Sequence, residues 1–341
     1  MKPNPANERL KHRYFHWLRN AKQMADKSVE QVAAALDRFE DFSNRRDFRQ
    51  LRVEQAEPFK KHLAQLSGQR SGTRLSKATI NSTLYAMRDF VRWLADQKGF
   101  RTRLVATDAY YFNPSRHDEA IARGARPIKV PRLQQIEALV ASMPTGTIVE
   151  RRNRAIVALI ALTGARDNAV ASLRLGDLDL DDRQIFQDSR HVRTKFRKAF
   201  PTWFFPVGEQ FVEIVRVWKH ELEMELRYSP ADPLFPKTEV SFGPDGETLP
   251  PRLGREGWAN ADPIRKLFRE ACAAANLPDF KPHSLRHMLA QIGQQRSASA
   301  EEMKAWSQNL GHENMLTTFT SYGKIPDYRQ KEVILAMRPP A

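Results

Sequence analysis

The sequence predicts a mainly α-helical protein with a small β-sheet, an α+β chain organised as two domains. Three observations carry that prediction. The chain has 341 residues, too many for one ordinary hydrophobic core and suited to two. Apolar residues recur at helical spacing through roughly the first 110 positions. Between about 112 and 131 that pattern breaks in FNPSRHDEAIARGARPIKVPR, with three prolines and a surplus of bases, and a new pattern then begins.

Taken in order, Leu10, Tyr14, Trp17 and Leu18 share one face of a first helix. A second opens at Ser28 with Gln31 three residues on, a capping-box spacing, and buries Val29, Val32, Ala33, Leu36 and Phe39. VEQAEPFKKHLAQL suggests a third, ending at Gly68. The fourth is the clearest: Ser76 is its N-cap, Ile80, Leu84, Met87, Val91 and Leu94 face inward, and Gly99 lies just past its end. Residues 1–111 thus read as a four-helix unit and 112–131 as a basic linker able to lie along a phosphate backbone. Residues 132–341 form the second domain. LQQIEALVASMP and RNRAIVALIALTG are helices there, LRLGDLDLDDRQIF moves into short strands, and FRKAFPTWFFPV has the content of a hairpin strand. From about 209 helices return, interrupted by a Pro/Gly-rich loop at 242–257. No internal repeat is visible.

Composition narrows the partners. The formal charge is +15, which favours a polyanion, nucleic acid first and an anionic membrane surface second. The bases do not line a single amphipathic helix, which sets the membrane surface aside. One cysteine, Cys272, excludes an intramolecular disulfide framework and a Cys-rich zinc site. The N-terminal stretch lacks the apolar core of a signal peptide, and AIVALIAL at 155–162 is too short to span a bilayer, so a cytoplasmic protein is expected.

Four local signals carry chemistry. Arg166 follows a Thr-Gly break at the end of an apolar helix. Arg190, Arg193, Lys195, Arg197 and Lys198 crowd a hairpin. In KPHSLRHM, His283, Arg286 and His287 project from one face near a helix N-terminus, since Pro282 marks the first turn. Finally, LGHENMLTTFTSYGK places His312 behind a Leu-Gly pair and Tyr322 ten residues later. Each alone has a plainer reading as surface charge, capped loop histidine or core tyrosine. A metal site at His283 and His287 is disfavoured, because Ser284 stands where a zinc-protease helix carries glutamate. Together they suit a phosphodiester: two arginines for its oxygens, a histidine base, a lysine acid and a tyrosine nucleophile. Such an inventory transesterifies DNA with neither metal nor nucleotide cofactor.

An arginine in TG-x-R, a lysine in a β-hairpin, H-x-L-R-H, LGH and a C-terminal tyrosine, in that order, resemble the tyrosine recombinase (phage integrase) family. The resemblance spans about residues 126–325 at motif level, and the N-terminal unit is similar to that family's core-binding domain by size and pattern. It implies a DNA-binding core-binding domain, a catalytic domain and a C-terminal tail helix. It also implies a role for each motif residue: Tyr322 attacks the scissile phosphate, Arg166 and Arg286 hold its oxygens, His283 is the general base, His312 hydrogen-bonds the phosphate, and Lys195 is the acid, with Lys198 the alternative. The expected partners are double-stranded DNA carrying paired recombination sites, a homotetramer with exchange of C-terminal tails, and an accessory protein or partner recombinase. The expected location is cytoplasmic, on the nucleoid when DNA is bound. A type IB topoisomerase shares this chemistry, and a catalytically silent DNA-binding protein would share the fold. Many family members carry an acidic residue three positions after the first arginine; here that position is Ala169, and Asp167 is the carboxylate placed to compensate.

Overall fold

Each stretch of helical apolar spacing in the first third of the chain forms a helix in the computed structural model. It describes residues 2–68, 72–124, 129–239, 251–297 and 299–312, and the single positions 245, 247 and 335. Contacts divide the chain into two units, Met1–Arg126 and Pro127–Ala341.

In the first unit α1 spans Pro5–Asn20, α2 Asp26–Phe42, α3 Ala56–Gln65 and α4 Lys77–Ala95. Ser76 caps α4 as its sequence indicates, its Oγ accepting from Thr79 N at 3.1 Å. The start of α2 differs from expectation. The helix begins at Asp26, not Ser28, and Ser28 N donates to the Ala25 carbonyl inside the first turn. An aspartate at the first position, favoured by the helix dipole, extends the helix by two residues. The third helix also ends earlier, at Gln65, where Ser67 turns into an isolated bridge with Arg74. The stretch read as a linker contains further structure. Ser115 caps a fifth helix, α5, Arg116–Arg123, with Asp118 and Glu119 in its first turn. Asn81 of α4 donates to the Asp118 carbonyl at 3.3 Å, and Lys77 pairs with Asp118 at 2.6 Å. The helix therefore belongs to the first unit, and the division falls after it.

Aromatic rings fill this unit's core. Tyr14 lies 5.1 Å from Phe90 and 5.0 Å from Trp93, and Phe39 meets Phe59 edge-on at 5.0 Å. Beside them sits a buried polar knot. Lys11 bonds Glu40 at 2.6 Å and Asp37 at 3.1 Å, and Asn7 bridges Glu40 to the Phe48 amide. Burial works against the lysine's charge, but its hydrogen bonds to Glu40, Glu8 and Asp37 outweigh it and raise its pKa.

The second unit is built around α7, Ile148–Thr163, which follows α6, Leu133–Ser142. Residues 155–163 of α7 are all buried. Thr147 and Glu150 form its capping box, and Gly164, at φ 59°, ends it. A single turn, α8, Asp167–Val170, follows. Strands β1, Leu178–Asp179, β2, Gln184–Gln187, and β3, Phe200–Trp203, form an antiparallel sheet in that order, with Leu178 opposite Ile185 and Ile185 opposite Thr202. The Phe205 amide then donates to the Leu162 carbonyl, tying the sheet to the end of α7. After α9, Glu209–His220, the strands β4, Thr238–Glu239, and β5, Arg252–Leu253, pair as a second small ladder. A single sheet was expected, and 242–257 was read as loop throughout; Pro/Gly content hid a two-residue strand with no alternation of its own. Helices α10, Asp262–Ala274, α11, Pro282–Arg296, and α12, Ala300–Asn309, complete the described part. Among the described residues no helix is long and apolar enough to cross a membrane.

The polar knot generates a stability prediction. Glu40→Ala leaves the Lys11 ammonium buried without its closest carboxylate, and the loss should be about 3–5 kcal/mol by chemical denaturation. A loss below about 1 kcal/mol would show that the knot is solvated and dispensable.

Candidate active site

The site assembles where two helices end. Gly164 closes α7 and Gly311 follows α12, at φ 59° and φ 70°, a region that suits glycine. Neither tolerates a side chain easily: a Cβ on Gly164 would lie 2.9 Å from Leu289 and 3.0 Å from Leu310, and one on Gly311 would lie 2.7 Å from Phe200. Arg286, on the second turn of α11, is 4% exposed and fills the space between these two ends. Its Nη1 donates to the Gly164 carbonyl at 3.1 Å, and its Nη2 donates to the Leu310 carbonyl and, at 2.9 Å, to His312 Nε2. Terminal carbonyls of two helices, at the negative ends of their dipoles, thus stabilise one buried guanidinium.

Because arginine only donates, His312 Nε2 is an acceptor, which places the proton of the neutral ring on Nδ1. The turn is set by the His312 amide donating to the Ser307 carbonyl at 3.1 Å. Burial, then the charges of Arg286 and Arg166, then His283 and His287, push His312 down to about 4. His283, near the start of α11, keeps part of its surface open to solvent. The protein packed around it, then His287, Arg286 and Arg166, still push it down to about 4, against a small upward effect of Asp167. Its ring meets that of His287 edge-on at 4.9 Å. His283 and His312 are therefore neutral near pH 7.

Arg166 is half-buried at the N-cap of α8, close enough that its charge disfavours protonation of both histidines. Asp167 pairs through Oδ2 with Arg265 of α10 at 2.6 Å, while Ala169, in the position that is acidic in many family members, is buried. Lys195 and Lys198 stand on the connection between β2 and β3, Lys195 exposed and Lys198 half-buried. Tyr322 lies outside the described residues. Of the six residues singled out from sequence, the structure thus gathers Arg166, His283, Arg286 and His312 about one point and places Lys195 on a neighbouring loop. Three contributors were missed. The carbonyls of Gly164 and Leu310 hold Arg286, yet main-chain acceptors leave no mark in a side-chain motif; the Thr-Gly break and the Leu-Gly pair were the available signals. Arg265 comes from 98 residues downstream of its partner Asp167, a separation at which nothing in the sequence pairs them.

Residues 130–327 match the phage integrase family, and residues 12–98 match the N-terminal SAM-like domain of phage integrases. A tyrosine recombinase XerC of Lactobacillus delbrueckii subsp. bulgaricus is 28% identical over 256 residues, 73% of this chain and 72% of that protein. XerC of Stutzerimonas stutzeri is 24% identical over 308 residues, 89% and 88% of the two chains. The structure of XerH site-specific recombinase bound to palindromic difH substrate aligns with a TM-score of 0.60 at 17% identity, covering 95% of this chain and 83% of that one. Tn1549 transposon integrase in complex with transposon right end DNA gives 0.59 at 13% identity, covering 96% and 99%. At such identities the structural likeness speaks to the fold.

Two outcomes are expected from this geometry. Gly164→Ala should cost about 1–3 kcal/mol of stability and reduce activity further than that loss explains, because the carbonyl on Arg286 moves; unchanged activity in a folded variant would dissociate that carbonyl from the site. The second concerns acid. The unfolded histidines bind protons below their ordinary value of 6.5, the folded ones not until about 4, so stability present above 6.5 is lost as pH falls through that window. His312→Asn should flatten part of that slope in denaturation measured from pH 7 to 4, and an unchanged slope would assign it elsewhere.

Proposed function

Since the chain belongs to the phage integrase family of tyrosine recombinases, we propose that it cleaves and rejoins double-stranded DNA through a 3′-phosphotyrosyl intermediate. The observation that carries this reading is the buried, doubly anchored Arg286 bonded to a neutral His312 beside Arg166 and His283. A cationic cleft with neutral imidazoles suits one phosphodiester: the arginines neutralise charge as the phosphorus becomes pentavalent, and a neutral imidazole is in the state that can accept a proton.

In this mechanism Tyr322 Oη attacks phosphorus as His283 takes its proton. A tyrosine hydroxyl titrates near 10 when unperturbed, so it needs such a base or strong cations beside it. Arg166 and Arg286 neutralise the charge that develops on the non-bridging oxygens. His312 has Nδ1–H as its donor toward an oxygen. The bond from phosphorus to the 5′ oxygen breaks, and Lys195 protonates that oxygen to give a 5′-hydroxyl; Lys198 is the alternative donor. Attack by a 5′-hydroxyl from the partner duplex reverses these steps. The covalent bond conserves the energy of the phosphodiester, so neither ATP nor a metal is required. Strand exchange between paired sites needs a multimer on DNA, a homotetramer in the full reaction, with C-terminal tails exchanged between subunits and an accessory protein or partner recombinase able to join. The XerH and Tn1549 structures, each of a protein bound to DNA, support a duplex partner. Such an enzyme works where DNA is, on the cytoplasmic nucleoid.

The test is covalent capture. Nicked duplexes with randomised centres, incubated with the protein without metal or ATP, should yield adducts that survive denaturation and share an inverted-repeat sequence. Tyr322→Phe should bind DNA and form none; adducts from that variant would sink the nucleophile assignment. Adducts without sequence preference would indicate a relaxation enzyme instead. Arg286→Ala should slow cleavage at least about 100-fold, and near-normal cleavage would remove Arg286 from the phosphate site.

A further inference from the structure

The loop that carries Lys195 is tied to the turn that carries Arg166, and we propose that Ser172, His191 and Arg193 are positioning residues that hold the lysine in register with that arginine. The inference rests on the reading that a lysine of this loop protonates the departing 5′ oxygen. Between β2 and β3 the chain makes a long connection, residues 188–199, which on its own would leave a lysine many positions. Its first half is anchored to three parts of the fold. Arg190 N donates to Asp188 Oδ1 at 2.9 Å and Val192 N to the Asp188 carbonyl at 2.7 Å, closing a turn that buries Val192. His191 Nε2 lies 3.0 and 2.9 Å from the two carboxylate oxygens of Asp177, a nearly buried residue that also caps the Arg174 amide at 2.7 Å. Arg193 Nη2 donates to the Trp258 carbonyl at 2.8 Å, and the Trp258 ring packs against the Arg152 guanidinium at 5.0 Å.

The remaining link reaches the arginine. The Arg193 amide donates to Ser172 Oγ at 2.9 Å, and the Ser172 hydroxyl is 3.0 Å from the carbonyls of both Asn168 and Ala169 in α8, whose N-cap is Arg166. One hydroxyl thus joins the two segments. Lys195 comes two residues after Arg193, so its Cα lies within roughly 7 Å of the anchored one. There it opens a single 3-10 turn that ends at Arg197, at φ 51°. Catalytic groups misplaced by about 1 Å lose on the order of 100-fold in rate, and this brace removes that freedom.

The chemistry offers a readout that general damage does not move. In ordinary cleavage the 5′ oxygen must gain a proton as its bond to phosphorus breaks. With sulfur in that bridging position the leaving group is a thiolate, which departs without one. Single-turnover cleavage of both substrates, built on the captured site, would be compared for the unmodified protein, Lys195→Ala, Lys198→Ala, His191→Ala, Arg193→Ala and Ser172→Ala. The conservative variants Ser172→Thr and His191→Asn, checked by thermal unfolding, separate lost folding from lost positioning. The brace variants should cleave the oxygen substrate about 10- to 100-fold more slowly, cleave the sulfur substrate within a few-fold of the unmodified rate, and bind DNA with unchanged affinity. Ser172→Thr should recover most of the oxygen rate. Sulfur rescue of a lysine variant without rescue of the folded brace variants would overturn the proposal, as would brace variants at full rate on oxygen. Rescue of neither lysine variant would instead remove the acid reading, and this inference with it.

Discussion

A guanidinium buried between two helix ends is the constraint on which the second unit's geometry depends. Taking Arg286 out of water is costly unless its donors are met. They are met by the carbonyls of Gly164 and Leu310 and by His312, so α7 and α12 must both terminate against α11, with a left-handed glycine at each end. The apolar burial of α7 and the packing of Leu289 and Leu310 hold those termini in place. Core and site are therefore one arrangement: the same residues that exclude water from α7 deliver the acceptors that orient the arginine.

That arrangement has an electrostatic consequence. Concentrating Arg166 and Arg286 in a partly dehydrated space makes a further positive charge unfavourable, and both histidines respond by remaining neutral. A bound phosphodiester would offset the arginines and raise the proton affinity of the imidazoles, which suits a general base that must take up a proton as reaction begins. Asp167, paired with Arg265, opposes the same field at His283 from the side of α8.

Charge is divided unevenly along the chain. Residues 1–126 hold 25 Lys and Arg against 14 Asp and Glu, while residues 127–341 hold 30 against 26. The excess that would release counterions from a nucleic-acid backbone therefore lies mainly in the aromatic-cored first unit. The second unit is close to balanced, and some of its bases are paired, as in Arg190–Asp188 and Arg151–Glu221. This division fits a protein whose grip and chemistry reside in separate units.

The helices α1, α3, α4, α6 and α7 were legible because amphipathic or wholly apolar spacing is a local property, and Ser76 and Gly164 marked ends by equally local rules. The same holds for the residue types of the site, since H-x-L-R-H places histidine and arginine at fixed helical offsets and LGH marks the turn that follows a helix end. Where the reading slipped, at the start of α2, in α5 and in the β4–β5 ladder, short elements were decided by contacts such as Asn81 with Asp118 and Thr238 opposite Leu253. The sequence by itself determined which groups are available and which helices carry them. Tertiary structure alone decided that two main-chain carbonyls hold Arg286, that Asp167 answers to Arg265 and that Ser172 joins the lysine loop to the arginine turn. The physical reason is that hydrogen bonds between distant segments depend on where helices end and pack, which no local periodicity encodes.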